Sequence, residues 1–164
     1  MRALLLVSLA LTGCLATFPL DGEVYVDPRL SPRKQYLIQQ AMDDWCKATS
    51  GRACPRIVPG RGPFEFVVET RSGHNAITRQ RFRTVQIGID LLTWPAGSQL
   101  AAVKHEIGHA YDLEHAPKGL MRGAEQGGPQ MRKGVRTDCI DRRTLEAFNE
   151  RHGAGPIQPE CDEP

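Results

Sequence analysis

The sequence predicts an α+β fold, and three observations carry the prediction. Apolar residues recur at helical spacing after Pro32. Two stretches, 64–70 and 84–90, are rich in β-branched and aromatic residues. Helical periodicity then returns after Pro95 and once more after Thr137.

The chain opens with a basic residue, Arg2, and an apolar run through Leu11 that is too short to stay in a bilayer as a spanning helix. It reads as an export signal. The run ends in Leu11-Thr12-Gly13-Cys14, which resembles the bacterial lipobox, where the signal is cut before the cysteine and the cysteine is lipidated. On that reading residues 1–13 are a signal peptide and Cys14 anchors the protein to a membrane. The alternative is an ordinary signal cut at Gly13 or Ala16, giving a secreted protein. Leu15 rather than Asp follows Cys14, and by resemblance to the enterobacterial sorting rule this favours the outer membrane. Residues 14–30 contain Pro and Gly without periodicity and read as a tether. Residues 31–164 are expected to form one domain, acting as a monomer in the cell envelope. A formal net charge of +2 gives no basic excess that would imply nucleic acid as a partner.

Ser31-Pro32 pairs an N-cap with Pro at the first helical position, which starts a helix from Pro32 to about Ala48. Leu37, Ile38, Ala41, Met42 and Trp45 form its inner face. Arg56-Ile57-Val58 adds a candidate strand, and residues 71–83, polar and basic and including His74, read as a loop or an irregular hairpin. Pro95 breaks the chain, and Ser98 is the expected N-cap of a second helix through Leu100, Val103, Ile107 and Tyr111. Residues 115–136 have no apolar period and read as a long irregular segment that shapes a site. A last helix is expected from Thr137 or Asp138 to about Arg151, with Ile140, Leu145 and Phe148 inward and Gly153 as its stop.

Without Cys14 the cysteines are Cys46, Cys54, Cys139 and Cys161, an even count in a chain that reads as exported. Four cysteines allow three pairings, and the short separations favour Cys46 with Cys54 and Cys139 with Cys161. No close C-x-x-C spacing points to a cysteine-ligated metal.

The chemistry concentrates in His105-Glu106-Ile107-Gly108-His109. Two imidazoles one helical turn apart project from one face and converge on one ion. Glu106 lies about 100° round the helix from His105, so it reaches a metal-activated water without ligating the metal, the place of a general base. Catalytic zinc commonly has three protein ligands and an open fourth position, and His115 is the nearby third donor. On a continuous helix His115 would lie about 9 Å beyond His109, too far to share an ion, so the helix has to end and turn back.

Residues 105–115 resemble the metzincin zinc peptidases, whose ligands are spaced H-E-x-x-H-x-x-G-x-x-H. The resemblance implies a zincin fold of matrixin-like order: an N-terminal helix, a twisted mixed sheet, an active-site helix carrying H-E-x-x-H, a methionine turn and a C-terminal helix. It also implies a zinc ion (Zn2+) held by His105, His109 and His115, with Glu106 as general base. The methionine turn falls at Gly119-Leu120-Met121, with Met121 preferred over Met131. One departure stands out. Asp112 occupies the position of the family's glycine, where the chain leaves the helix in a left-handed conformation that costs Asp about 1–2 kcal/mol. A hydrogen bond from Asp112 to a ligand imidazole would offset that cost. The activity implied is hydrolysis of peptide bonds in a peptide or protein substrate lying along a sheet edge near residues 79–84. The competing expectation is a zinc-binding envelope lipoprotein that has lost catalysis and acts as a binding or assembly factor; the intact Glu106 argues against it.

Overall fold

The computed structural model describes residues 20–62, 64–69, 76–79, 84–122 and 138–161. Residues 1–13, Cys14, His74 and Met131 lie outside these residues. Five strands and three α-helices follow in the order β1 (Glu23–Val26), α1 (Pro32–Ala48), β2 (Arg56–Val58), β3 (Phe64–Glu69), β4 (Ala76–Arg79), β5 (Thr84–Gly88), a 3-10 turn (Ile89–Thr93), α2 (Ala96–Ala110) and α3 (Arg142–His152). The sheet order is β2-β1-β3-β5-β4. β1 pairs in parallel with both β2 and β3, and β3 in parallel with β5, whereas β4 runs antiparallel to β5 at the far edge. A mixed sheet with helices is therefore the architecture.

α1 forms where the sequence predicts it. Ser31 Oγ accepts the Lys34 amide and Pro32 opens the first turn, which needs no amide donor there. Leu37, Ile38, Ala41, Met42, Trp45 and Ala48 are buried along one face. They join Val24, Phe64, Phe66, Val85 and Ile87, alternate residues of the sheet, in one core with Val103, Ile107 and Tyr111 of the α2 region. Trp45 lies against Tyr111 and Phe148 at 5.3 and 5.9 Å between ring centroids, and its indole N–H donates to Lys104 O at 3.1 Å. One side chain thus links α1, the end of α2 and α3.

Three expectations need correction, whereas of the two readings of residues 71–83, loop or irregular hairpin, the hairpin holds: they include β4, which pairs antiparallel with β5. Residues 23–26 are an inner strand of the sheet, not part of a tether: Val24 is fully buried, and both edges of β1 are paired, so tertiary contacts override a local signal only four residues long. α2 starts at Ala96 with Pro95 as its N-cap and no side-chain cap, while Ser98 is buried inside the first turn. α3 starts at Arg142, because Asp141 rather than Thr137 or Asp138 is the residue whose carboxylate receives the Thr144 amide. The second main strand is also shortened to 84–88 and passes directly into the 3-10 turn, while the first runs over 64–69, with residue 70 outside the described residues.

Both expected disulfides are present, Cys46–Cys54 and Cys139–Cys161. The first ties the end of α1 to the approach to β2. The second brings the C-terminal segment beside Asp141, which forms an isolated parallel bridge with Cys161.

Candidate metal centre

α2 carries His105, Glu106 and His109 and ends at Ala110. Its exit is a two-bond motif. The Asp112 amide donates to His109 O at 2.9 Å and the Leu113 amide to Gly108 O at 3.0 Å, the pattern of a Schellman cap with Asp112 in the left-handed position. Asp112 has φ 63°, the conformation expected where the family has glycine. The reversal sends the chain back along α2 instead of onward, and this brings His115 to the two helix histidines.

His105, His109 and His115 offer ring nitrogens that all lie within 4.8 Å of one another. The ring centroids are 4.6 Å apart for His105 and His109, 4.6 Å for His109 and His115, and 5.4 Å for His105 and His115. His105 Nδ1 donates to Leu120 O at 2.7 Å and His109 Nδ1 to Leu113 O at 2.8 Å. With Nδ1 protonated and committed to a carbonyl, the neutral ring presents Nε2 as a lone-pair donor. His109 Nε2 and His115 Nε2 stand 3.0 Å apart. Two imidazole ligands of a tetrahedral zinc are about 3.3 Å apart, given zinc–nitrogen distances of about 2.0–2.1 Å. The donor set therefore fits zinc in type, number and spacing. Burial pushes the His105 imidazole pKa below its usual value, and the neighbouring histidines push it the same way, against the Leu120 hydrogen bond and Glu106, which raise it. The neutral, ligating form is favoured.

The other parts of the centre come from far along the chain. Gly119-Leu120-Met121 runs beneath α2, and Met121 and Leu120 are both buried. Gly119 has φ 78°, and a Cβ there would collide with the Asp141 carboxylate, so both conformation and space call for glycine. Asp141, itself buried, accepts the Leu120 amide at 2.8 Å, the Thr144 amide at 3.1 Å and the Thr144 hydroxyl at 2.9 Å. One peptide unit further, Leu120 O holds His105. Asp141 thus joins the cap of α3 to the support of His105, a role that nothing in its local sequence announces.

Two more residues were not legible as site residues. Thr78 of β4 places its hydroxyl 2.7 Å from Glu106 Oε2 and 2.7 Å from Glu106 O. Lys104, beside His105, is almost fully buried; its ammonium pairs with Asp44 at 2.7 Å and Glu160 at 2.8 Å and donates to Asp138 O at 2.7 Å. The Asp112 carboxylate pairs with Arg151 of α3. The sheet edge lies at β4, residues 76–79, while Thr84 already belongs to the inner strand β5.

No protein-family model matches the chain, and no curated protein matches it. Among solved structures it is similar to an archaemetzincin from Methanopyrus kandleri, with 12% identity and a TM-score of 0.49 over 80% of this chain and 94% of that one. It is also similar to high choriolytic enzyme 1, a hatching-enzyme zinc-protease of the medaka Oryzias latipes. There the identity is 20% and the TM-score 0.37, over 59% of this chain and 46% of that one.

Proposed function

We propose that the chain is a zinc-dependent endopeptidase of the metzincin type, with His105, His109 and His115 holding the metal, Glu106 as general base and Met121 as the methionine of the turn beneath it. The observation that carries this reading is the convergence of three histidine nitrogens, two of them on rings oriented by backbone carbonyls, beside a glutamate tied to the sheet edge. Zinc bound there supplies a Lewis acid that brings a water's pKa towards neutrality and polarises the scissile carbonyl. Glu106 removes the proton from the attacking water and delivers it to the departing amine. The α2 backbone keeps Glu106 adjacent to His105 but on a different azimuth, so the carboxylate serves the water while the imidazole serves the metal. The substrate is a peptide in extended form, adding a strand to β4, the last strand of the sheet among the described residues, where main-chain hydrogen bonds hold any sequence and side-chain pockets select.

We place the protein in the cell envelope, lipidated on Cys14 after removal of residues 1–13. Its two disulfides suit an oxidising compartment, and no helix among the described residues is long and apolar enough to cross a membrane.

The test combines metal content with cleavage of an unstructured protein such as casein. About one zinc per chain and chelator-sensitive cleavage are expected. Glu106→Gln is expected to keep the metal and lose turnover by a factor of about 10² to 10⁴. Cleavage undiminished in Glu106→Gln would reject the mechanism, and zinc retained in full after His115→Ala would reject the third ligand. A wild-type protein that binds zinc without cleaving any unstructured substrate would point to the binding-factor alternative.

A further inference from the structure

We infer that Thr78 is the positioning residue for the general base, an assignment that rests on the peptidase reading of Glu106. The Thr78 hydroxyl contacts two oxygens of one residue, Glu106 Oε2 and Glu106 O, each at 2.7 Å. One of these oxygens is fixed in the α2 backbone and the other sits at the end of a rotatable side chain. The hydroxyl's single proton is shared between these two acceptors, and this holds the carboxylate close to a carbonyl of the helix that carries the ligands. Glutamate otherwise loses rotamer freedom when it is confined to one position. Here the confinement is made before substrate arrives.

The position of Thr78 in the sheet gives the contact its meaning. Thr78 pairs with Val85, a buried residue of β5, so its side chain is on the face of the sheet that α2 covers. β4 is at the sheet edge, the strand along which an extended peptide would lie. The same four-residue strand therefore presents its backbone edge to the substrate and its Thr78 side chain to the base. The offset between peptide and carboxylate is fixed by one hydrogen-bonded side chain, not by helix–sheet packing alone. A methyl in place of the hydroxyl preserves the shape of the contact and removes the restraint.

The experiment uses the zinc-loaded full chain and an unstructured fluorogenic protein substrate, with Thr78→Val, Thr78→Ser, Glu106→Gln and the Thr78→Val/Glu106→Gln double variant. Thr78→Val is expected to lower kcat about 10-fold, less than loss of the base itself, with KM and zinc content near wild type. Thr78→Ser keeps the hydroxyl and is expected to restore kcat to within about threefold of wild type. Once Glu106 is Gln, adding Thr78→Val is expected to change kcat little, since the two residues act as one unit. A second readout needs no turnover. Acetohydroxamate, whose acidic proton is taken by a neighbouring base as it binds a metal, is titrated against the cobalt-substituted protein by visible absorption. Affinity is expected to fall several-fold in Thr78→Val and to be kept in Thr78→Ser.

A wild-type kcat in Thr78→Val, equal losses in Thr78→Val and Thr78→Ser, or losses that multiply in the double variant would each overturn the assignment. The peptidase reading fails by a different result, a wild-type protein without zinc or without cleavage, and the role of Thr78 would fall with it. Raised KM with kcat intact in Thr78→Val would assign the hydroxyl to strand docking and not to the base.

Discussion

Met121 fills the space that a side chain on Gly108 would take: a Cβ on Gly108 would overlap Met121 Sδ and stand 3.0 Å from its Cε. Gly108 lies between His105 and His109 of α2, so the methionine supports the helix at the turn that carries two of the three clustered histidines. Gly108→Ala should raise intrinsic helix propensity and still destabilise the fold, by about 1–3 kcal/mol from overpacking. Urea denaturation with and without the compensating change Met121→Ala checks this. Recovery in the double variant is expected, and a Gly108→Ala protein as stable as wild type would show that Met121 can move aside.

Asp112 and Arg151 form a coupled pair at the end of α2. Arg151 is more than half exposed, so the pair itself contributes at most about 1 kcal/mol. Asp112→Gly removes that contribution and also relieves the left-handed strain, leaving a net change expected within about 1 kcal/mol. Asp112→Ala keeps the strain and loses the pair, and should cost about 1–2 kcal/mol. Thermal melts of both, each with and without Arg151→Ala, separate the two effects. Equal melting temperatures for the Gly and Ala variants would remove backbone strain from the account.

Asp141→Asn is the most disruptive conservative change expected outside the histidines. The carboxylate receives three donors in a buried place, and an amide offers one oxygen and two N–H groups where only acceptors fit. A loss of about 1–3 kcal/mol of stability is expected from the mismatched donors. Zinc affinity should fall by about 10-fold or more, because Leu120 O would no longer be held for His105. Competition with a chromogenic chelator measures it. Lost stability with intact affinity would confine Asp141 to capping α3.

The metal-free protein should lose stability in mild acid. Burial holds the folded-state pKa of His105 below its ordinary 6.5, so the unfolded chain binds the proton first as pH falls. The stability from this residue is complete above the unfolded value and is lost as pH drops below it through the folded value. Denaturation of the chelated protein from about pH 8 to about pH 5 should show the decline, and His105→Gln should flatten it. An unchanged slope in that variant would transfer the effect to other groups.

Legibility in the sequence followed the range of the interactions. α1 was fully readable, since its cap at Ser31, its Pro32 and its apolar stripe all lie within one segment. The spacing of His105, Glu106, His109 and His115 was equally local, and so was the demand on Asp112 for a left-handed backbone. β1 was not readable, and β4 only as one of two alternatives, the irregular hairpin: each is four residues long and becomes a strand through its neighbours. The start of α3 was misplaced because Asp138 and Asp141 are equally good caps in sequence, and only the fold puts the Thr144 amide against Asp141. Thr78 lies 28 residues from Glu106, and Asp141 lies 21 from Leu120; no periodicity or motif spans such distances.

Lys104 has a consequence for the order in which the molecule assembles. Its ammonium is compensated by Asp44 on one side and Glu160 on the other, and the Glu160 contact closes a loop of 56 residues. The adjacent carbonyl waits for Trp45, 59 residues earlier. An ammonium enters an apolar interior at high cost until its counter-charges are in place, so α2 settles only after both distant segments have docked. Chain closures of this length are late and slow events in folding. The three histidines are therefore brought into register near the end of the process, and a partly folded chain carries the H-E-x-x-H residues without the finished cluster.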